Sequence, residues 1–254
     1  MSEEILVSQD NGVMTITMNR PEAKNAMNKN MAELIAAAMD ELDSNNDLRV
    51  AVLTGAGGTF CSGMDLKGFL KGETPSVKGR GFGGITETPP QKPLIAAIEG
   101  YALAGGFELA ITCDLIIAAD TSKFGVPEVK RGLVAGAGGL IKLPDQVPPR
   151  LAMELALTGD FISAQRAYDI GLINGIVEQG KAMEGALELA ARIAANGPLA
   201  VATSKKIIKE YATWPHEDRW TKQGALMADV FASEDAREGA SAFAEKRAPN
   251  WKGK

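Results

Sequence analysis

Two β-prone runs, Ile5-Leu6-Val7 and Val13-Met14-Thr15-Ile16-Thr17-Met18, flank the turn tripeptide Asp10-Asn11-Gly12, and this pattern predicts an opening hairpin. Met31, Leu34, Ile35, Ala38, Met39 and Leu42 then recur at helical spacing, with Asp40, Glu41 and Asp43 on the other face, predicting an amphipathic helix. Arg49 to Thr54 reads as a short buried strand closed by Gly55-Ala56-Gly57-Gly58. Leu94-Ile95-Ala96-Ala97-Ile98 and Leu115-Ile116-Ile117-Ala118-Ala119 read as two more core strands. Between them lie a Gly-rich start and an apolar helix from about Gly105 to Cys113. Strands alternating with helices predict an α/β architecture.

Beyond residue 140 the pattern predicts an almost wholly helical chain with marked boundaries. Pro148-Pro149 opens one helix and Gly159 closes it; Ser163 caps the next and Gly171 ends it. Ser233-Glu234-Asp235 starts a last long helix with a cap and acids where the dipole favours them, and Lys246-Arg247 finish it. No repeat of fixed period is visible. Gly68 to Pro93, rich in Gly and Pro, is the one long stretch without periodicity, which predicts a mobile lid or binding loop.

Composition narrows the class of molecule. With 254 residues, 45% hydrophobic and 23% charged, the chain is long enough for a large core, which excludes disordered, collagen-like and disulfide-framework proteins. A net charge of −5 argues against a nucleic-acid footprint. Two cysteines, Cys61 and Cys113, fit a reducing compartment. The start of the chain has neither the basic character of a secretory signal nor that of a transit peptide, so a cytoplasmic location is expected. The greasiest stretch, Leu109 to Ala119, is interrupted by Asp114 and too short to span a bilayer.

Several chemistries lack their residues. Nucleophilic hydrolysis needs a Ser or Cys beside a base, and the single histidine, His216, sits at a helix start in the C-terminal third, where an exposed first-turn residue is expected. No Gly-x-Ser-x-Gly elbow occurs, and no His/Cys cluster can be assembled for zinc. Gly79-Arg80-Gly81-Phe82-Gly83-Gly84 matches Gly-x-Gly-x-x-Gly, but neither a strand before it nor a helix after it is predicted, so it reads as a loop. A phosphate-binding Gly-x-x-x-x-Gly-Lys-Ser/Thr is absent.

The informative segment is Tyr101 to Cys113, in which Glu108 is the only charge among thirteen otherwise apolar or small residues. A carboxylate there is expected to be buried, which raises its pKa toward the range useful for proton transfer; the alternative is a Glu on one wet helical stripe. Gly105-Gly106 just before the helix leaves N–H groups free to face a developing negative charge, as in an oxyanion hole. Cys61-Ser62-Gly63-Met64-Asp65-Leu66 is a second glycine turn able to supply the other N–H. A second carboxylate, Glu128, stands beside Lys130 and Arg131, where a surface ion pair is the competing reading. Two carboxylates around one water, with backbone donors on a carbonyl oxygen, are the equipment for adding water to an activated double bond.

From about Gly12 to the C-terminus the chain resembles the enoyl-CoA hydratase/isomerase (crotonase) superfamily. The resemblance rests on motifs in the expected order: Asn19-Arg20-Pro21 with Asn25-Ala26, Val52-Leu53-Thr54-Gly55, Phe60 to Leu66, Gly100 to Ala110, Phe124-Gly125-Val126-Pro127-Glu128, Gly136-Ala137-Gly138-Gly139, Leu157-Thr158-Gly159 and Glu245-Lys246-Arg247. It implies a spiral of ββα units over residues 1–195 and a helical region over 196–254 that builds a homo-trimer or a hexamer of two trimers. It further implies an acyl-CoA thioester substrate, with no metal and no cofactor beyond the coenzyme A of the substrate. The backbone oxyanion donors carry over to Met64 and Gly105, the acid/base glutamates to Glu108 and Glu128. Coenzyme A contacts carry over to Met64, Asp65, Leu66 and Lys67, with Gly105 lining the same site and Lys24 near the phosphates.

The reading is therefore a hydro-lyase, an enoyl-CoA hydratase, acting in fatty acid metabolism. The rivals are an enoyl-CoA isomerase, which typically manages with one carboxylate, and a non-catalytic acyl-CoA binder. Pro127 to Gly132, Pro148-Pro149, Glu234 to Gly239 and Trp251-Lys252-Gly253 are also similar to the carnitinyl-CoA dehydratase branch, whose acyl group is polar and which uses the same two carboxylates. Ala104, Met64, Phe107 and Ala135 depart from the commonest family pattern and bear on the shape of the pocket.

Overall fold

The opening hairpin forms as predicted: β1 (Ile5–Asp10) and β2 (Val13–Met18) pair antiparallel about Asn11 and Gly12, both at positive φ. In this computed structural model, which describes residues 3–254, every later strand of the main sheet runs parallel to β2. Helix α1 (Lys29–Ser44) starts at Asn28, whose side chain accepts the Met31 N–H and so satisfies a donor that a first turn leaves free. Met31, Ile35, Ala38, Met39 and Leu42 are buried as expected, whereas Leu34 is partly exposed at the edge of the stripe.

After β3 (Val50–Gly55) comes α2 (Leu66–Phe69), a single turn capped by Asp65. The stretch Gly68–Pro93 is not the free loop its composition suggested. It holds a small hairpin, β4 (Ser76–Val77) with β5 (Gly81–Phe82), and Phe82, Ile85 and Thr86 are buried. Gly84 closes against α1 at φ +75°, where a Cβ would come within 2.5 Å of the Ala32 carbonyl oxygen. Glycines and a turn, rather than periodicity, dock this segment, so its burial left no pattern to read.

β6 (Leu94–Ile98) and β7 (Tyr101–Leu103) lead into α3 (Gly105–Ala110), then β8 (Leu115–Ala119) and β9 (Lys123–Gly125). α3 is shorter than the predicted Gly105–Cys113 helix, because Thr112 and Cys113 tighten onto the carbonyls of Leu109 and Ala110. There follow α4 (Gly139–Gln146), α5 (Pro149–Thr158), β10 (Ile162–Ser163), α6 (Ala164–Asp169), β11 (Gly175–Val177) and α7 (Ala182–Ala194). Gly159 and Ser163 cap where expected. The expectation of an almost wholly helical chain past residue 140 is corrected by β10 and β11, which are too short to show a period of two. β11 completes the sheet β1-β2-β3-β6-β8-β11, while β10 joins β9 and β7 in a second sheet.

The central strands β3, β6 and β8 are buried on both faces, which is why they read as nearly unbroken apolar runs. Val50, Val52, Ile95 and Ile117 face α7, whose Ala182, Ala186 and Ala190 form a flat stripe that lets the helix approach. Ala51, Leu53, Ile98 and Ala118 face the larger core with α1 and Phe107.

The C-terminal helices are α8 (Pro198–Glu210), α9 (Arg219–Ala232) and α10 (Glu234–Glu245), the last capped by Ser233 and closed by Lys246 in the left-handed region. His216 is exposed in a short 3-10 turn. No helix among the described residues is long and apolar enough to cross a membrane. α8 is fastened to its own core by Lys205, whose ammonium reaches the carboxylate of Asp114 at 2.6 Å and the carbonyls of Pro90 and Lys92. Both side chains of the ion pair are largely buried. Lys205→Met is expected to lower stability by about 3 kcal/mol, the lower end for breaking a buried pair because Lys209 remains 3.4 Å from Asp114. Denaturant titration checks this, and an unchanged midpoint would show that the pair contributes nothing.

Candidate active site

Two loops meet at the start of α3. The Cys61 N–H donates to the Tyr101 carbonyl (2.9 Å), and the Leu103 N–H donates to that of Cys61 (3.0 Å), so residue 61 extends the pairing of β7. Glycine makes this approach feasible: a Cβ on Gly106 would sit 2.1 Å from the Cys61 carbonyl oxygen, and one on Gly105 2.4 Å from the Phe82 ring. Met64 is bracketed by two bonds to Met27, from Met27 N–H to the Gly63 carbonyl and from Asp65 N–H to the Met27 carbonyl. Its own N–H and that of Gly105 donate no hydrogen bond to the described residues. Gly105 begins α3, so its amide is one that a first turn leaves free. The preceding Ala104 holds φ 53° and ψ −128°, a strained conformation for a residue with a Cβ, stored at the turn that leads into Gly105 and the cleft wall.

Beside this junction opens a cleft of about 1380 Å³ that Met64, Gly105, Glu108 and Glu128 all line. Glu108 is 2% exposed, so the wet-stripe alternative fails. Its Oε1 accepts the N–H groups of Ala137 (2.8 Å) and Gly139 (2.7 Å), which fix the carboxyl against the start of α4. Burial pushes its pKa up to about 7; the Gly139 amide opposes the rise and the nearby Glu128 adds to it. Glu128 lies in the 3-10 turn Pro127–Arg131 and is partly buried. The surface ion pair that its neighbours suggested is not formed: Lys130 pairs with Asp160, and Oε2 of Glu128 is buried without a partner. Burial raises the pKa of Glu128 as well.

Lys24, Asp65, Leu66 and Lys67 line the same cleft. Lys24 is exposed, its ammonium 5.7 Å from the Tyr101 ring centre, and its carbonyl accepts the Ser62 N–H. The carboxylate of Asp65 is already engaged by Arg20 and by the amides of Lys67 and Gly68, so it shapes α2 and the Met64 turn rather than offering a free acceptor. All the residues expected at the site therefore line one cavity. Lys142 and Thr86, which also line it, were not singled out by sequence reasoning. For Lys142 a signal existed, since it follows the glycine run Gly136-Ala137-Gly138-Gly139 by one helical turn; Thr86 carried none. Burial lowers the pKa of Lys142 to about 8. Among the described residues no group of three or more His, Cys, Asp or Glu is placed to hold a metal ion.

Residues 8–254 match the sequence model of the enoyl-CoA hydratase/isomerase family. An enoyl-CoA hydratase from Mycobacterium tuberculosis is 41% identical over 98% of this chain and 96% of its own length. A carnitinyl-CoA dehydratase from Salmonella typhi is 40% identical over the whole of both chains. Among solved structures, an enoyl-CoA hydratase from Mycobacterium marinum is 56% identical and superimposes with a TM-score of 0.97 over 99% of both chains.

Proposed function

The chain belongs to the enoyl-CoA hydratase/isomerase family, and from that premise we propose that it is a hydro-lyase that adds water reversibly across the 2,3 double bond of an enoyl-CoA thioester. One observation carries the reading: two carboxyls with raised pKa values, Glu108 and Glu128, line the same cleft as the unengaged amides of Met64 and Gly105. The thioester oxygen accepts from those two amides, which draws electron density away from C3. A water then attacks C3 while one glutamate takes its proton and the other delivers a proton to C2. Each amide contributes on the order of 3 kcal/mol in the transition state. Coenzyme A enters as part of the substrate along Lys24, Asp65, Leu66 and Lys67, and the protein needs no resident cofactor.

The carnitinyl-CoA dehydratase relative supports a second reading, since dehydration of a hydroxyacyl thioester is the same reaction run in reverse with a different acyl group. The test is the absorbance of the conjugated enoyl thioester in the presence of crotonyl-CoA, a 3-hydroxyacyl-CoA and carnitinyl-CoA. Hydration or dehydration of at least one is expected. Tight thioester binding without any absorbance change would instead support a non-catalytic binder.

The pair must hold one proton between them, so kcat/KM is expected to be bell-shaped in pH. Its alkaline limb falls as pH rises through about 7, where Glu108 loses its proton and no donor remains. Its acid limb falls where both carboxyls are neutral and no base remains. A profile flat from about pH 5 to 9 would remove the pair from the rate-determining chemistry.

Helices α9 and α10 expose Trp220, Phe231 and Phe243, and the turn after α8 exposes Tyr211, apolar surface of the kind that subunits cover. The proposal therefore includes a homo-trimer, alone or paired into a hexamer, assembled through residues 196–254. It also includes a cytoplasmic location, where the free thiols of Cys61 and Cys113, both buried, stay reduced.

A further inference from the structure

Met64, whose amide the hydration step uses, lies outside every named strand and helix, so something else must hold it. Met27 brackets it: the Met27 N–H donates to the Gly63 carbonyl (2.7 Å), and the Asp65 N–H donates to the Met27 carbonyl (2.9 Å). In such a parallel bridge the residue between the two bonds turns its own N–H to the opposite side, so the Met64 amide is held only through its neighbours. The bracketing segment is itself strained. Lys24 and Asn25 hold φ 51° and 52°, two successive left-handed residues that each carry a Cβ, a cost that persists only where the surroundings fix it. One side chain reaches both sides of the bracket. Nη1 of Arg20 donates to the carbonyl of Ala26, just before Met27, at 2.6 Å, and Nη2 donates to the carboxylate of Asp65, just after Met64, at 2.9 Å. The Nε of Arg20 lies 3.5 Å from Glu4. Its backbone N–H donates to Oδ1 of the fully buried Asn25, whose Nδ2 donates to the carbonyls of Ala56 and Thr59. The Arg20 and Asp65 side chains are each 17% exposed, so solvent screens this pair less than a surface one.

We propose that Arg20 is a positioning residue, which holds the Met64 amide in place for the acyl oxygen by tying Asp65 to Ala26. The inference rests on the oxyanion part of the hydratase reading and adds to it a residue with no part in the steps described above. A guanidinium is planar and presents its N–H groups in a fixed fork, so it sets the spacing of two acceptors instead of merely attracting both. The chain through Ala26 and Met27 and the chain through Met64 and Asp65 are therefore held in one register. The far end of the tie is rigid as well, because the other oxygen of Asp65 accepts the amides of Lys67 and Gly68 at the start of α2. Arg20 also lines the cleft, which makes a direct contact with a phosphate of coenzyme A the competing role. Positioning fits the geometry better, since Nη1 and Nη2 each already serve an acceptor of the chain.

The experiment binds the full chain to butyryl-CoA, a saturated thioester that cannot be hydrated, with an isotopic label at the carbonyl carbon, and reads the carbonyl stretch by infrared difference spectroscopy. Hydrogen bonds to that oxygen lower its frequency, so the parent is expected to show a downshift on binding. Arg20→Lys keeps the charge but cannot bridge two acceptors in the same way. It is expected to lose most of the downshift and to lower kcat on crotonyl-CoA by about 10–100-fold, while the calorimetric Kd for butyryl-CoA stays within about threefold. Asp65→Asn is the second variant: with its oxygen still on the α2 amides, its NH2 group faces Arg20 and cannot accept from it. The same losses are expected there, and the double variant is expected to lose no more than the worse single one. A downshift unchanged in both single variants, losses that multiply in the double variant, or a Kd raised about tenfold with the downshift intact, the mark of a phosphate contact, would each overturn the positioning role. A parent that shows no downshift would instead remove the backbone amides from the thioester oxygen, and the role of Arg20 would fall with that reading.

Discussion

Replacing Glu108 or Glu128 by Gln is expected to lower crotonyl-CoA hydration by about 10²–10⁴-fold each, while affinity for the CoA thioester changes only a few-fold. Glutamine has nearly the shape of glutamate and cannot exchange the proton that the addition requires. At position 108 its side-chain oxygen still accepts the N–H groups of Ala137 and Gly139, so the local structure has what it needs to form. The same variant carries a stability signature. Because the pKa of Glu108 is raised from 4.5 to about 7, the folded chain holds a proton there that the unfolded chain gives up between those values. The parent therefore loses stability as pH rises through that window, and the neutral Gln does not. Glu108→Gln is expected to melt above the parent at pH 8, by a margin greater than at pH 4. Stopped-flow absorbance and calorimetry at both pH values check the pair of statements. Substantial turnover in both variants would sink the two-carboxylate mechanism, and an equal melting difference at both pH values would remove the burial argument.

Gly106→Ala is the second change with a large expected effect, although residue 106 bears no reacting group. Its new Cβ would fall 2.1 Å from the carbonyl oxygen and 2.7 Å from the carbonyl carbon of Cys61, both backbone atoms that no rotamer can move aside. The Cys61 strand must shift away from α3, and with it the turn that ends at Met64. In the proposed mechanism, the Met64 and Gly105 amides then no longer converge on one thioester oxygen. We expect kcat to fall by about 10²–10³, the loss seen when one such donor is removed, together with a destabilisation of about 1–3 kcal/mol from overpacking. Single-turnover rates and urea midpoints measure these separately. Wild-type turnover in this variant would show that the spacing of the two loops does not set the oxyanion site.

Glu108 was legible as chemistry because a lone charge in an apolar helix has few places to go, and it is buried as that argument requires. Glu128 was not, because Lys130 and Arg131 beside it look like partners. The structure gives Lys130 to Asp160, which lies 30 residues further on, and no local pattern announces that choice. Likewise Gly68–Pro93 lacks any period, yet its middle packs against α1 and carries Thr86 into the cleft wall.

The chain's own order of residues fixed which elements form and which of their faces are buried, since a period of two or of 3.6 is a local property that each segment carries in isolation. It also marked the glycines and the carboxyls from which a site is assembled. Only the folded molecule decided that residues 64, 105, 108 and 128 share one cavity, and that Lys142 and Thr86 stand beside them. Convergence depends on strand register and on backbone approaches of a few ångströms, such as Gly106 on Cys61, between segments far apart in sequence; no local periodicity records such a distance.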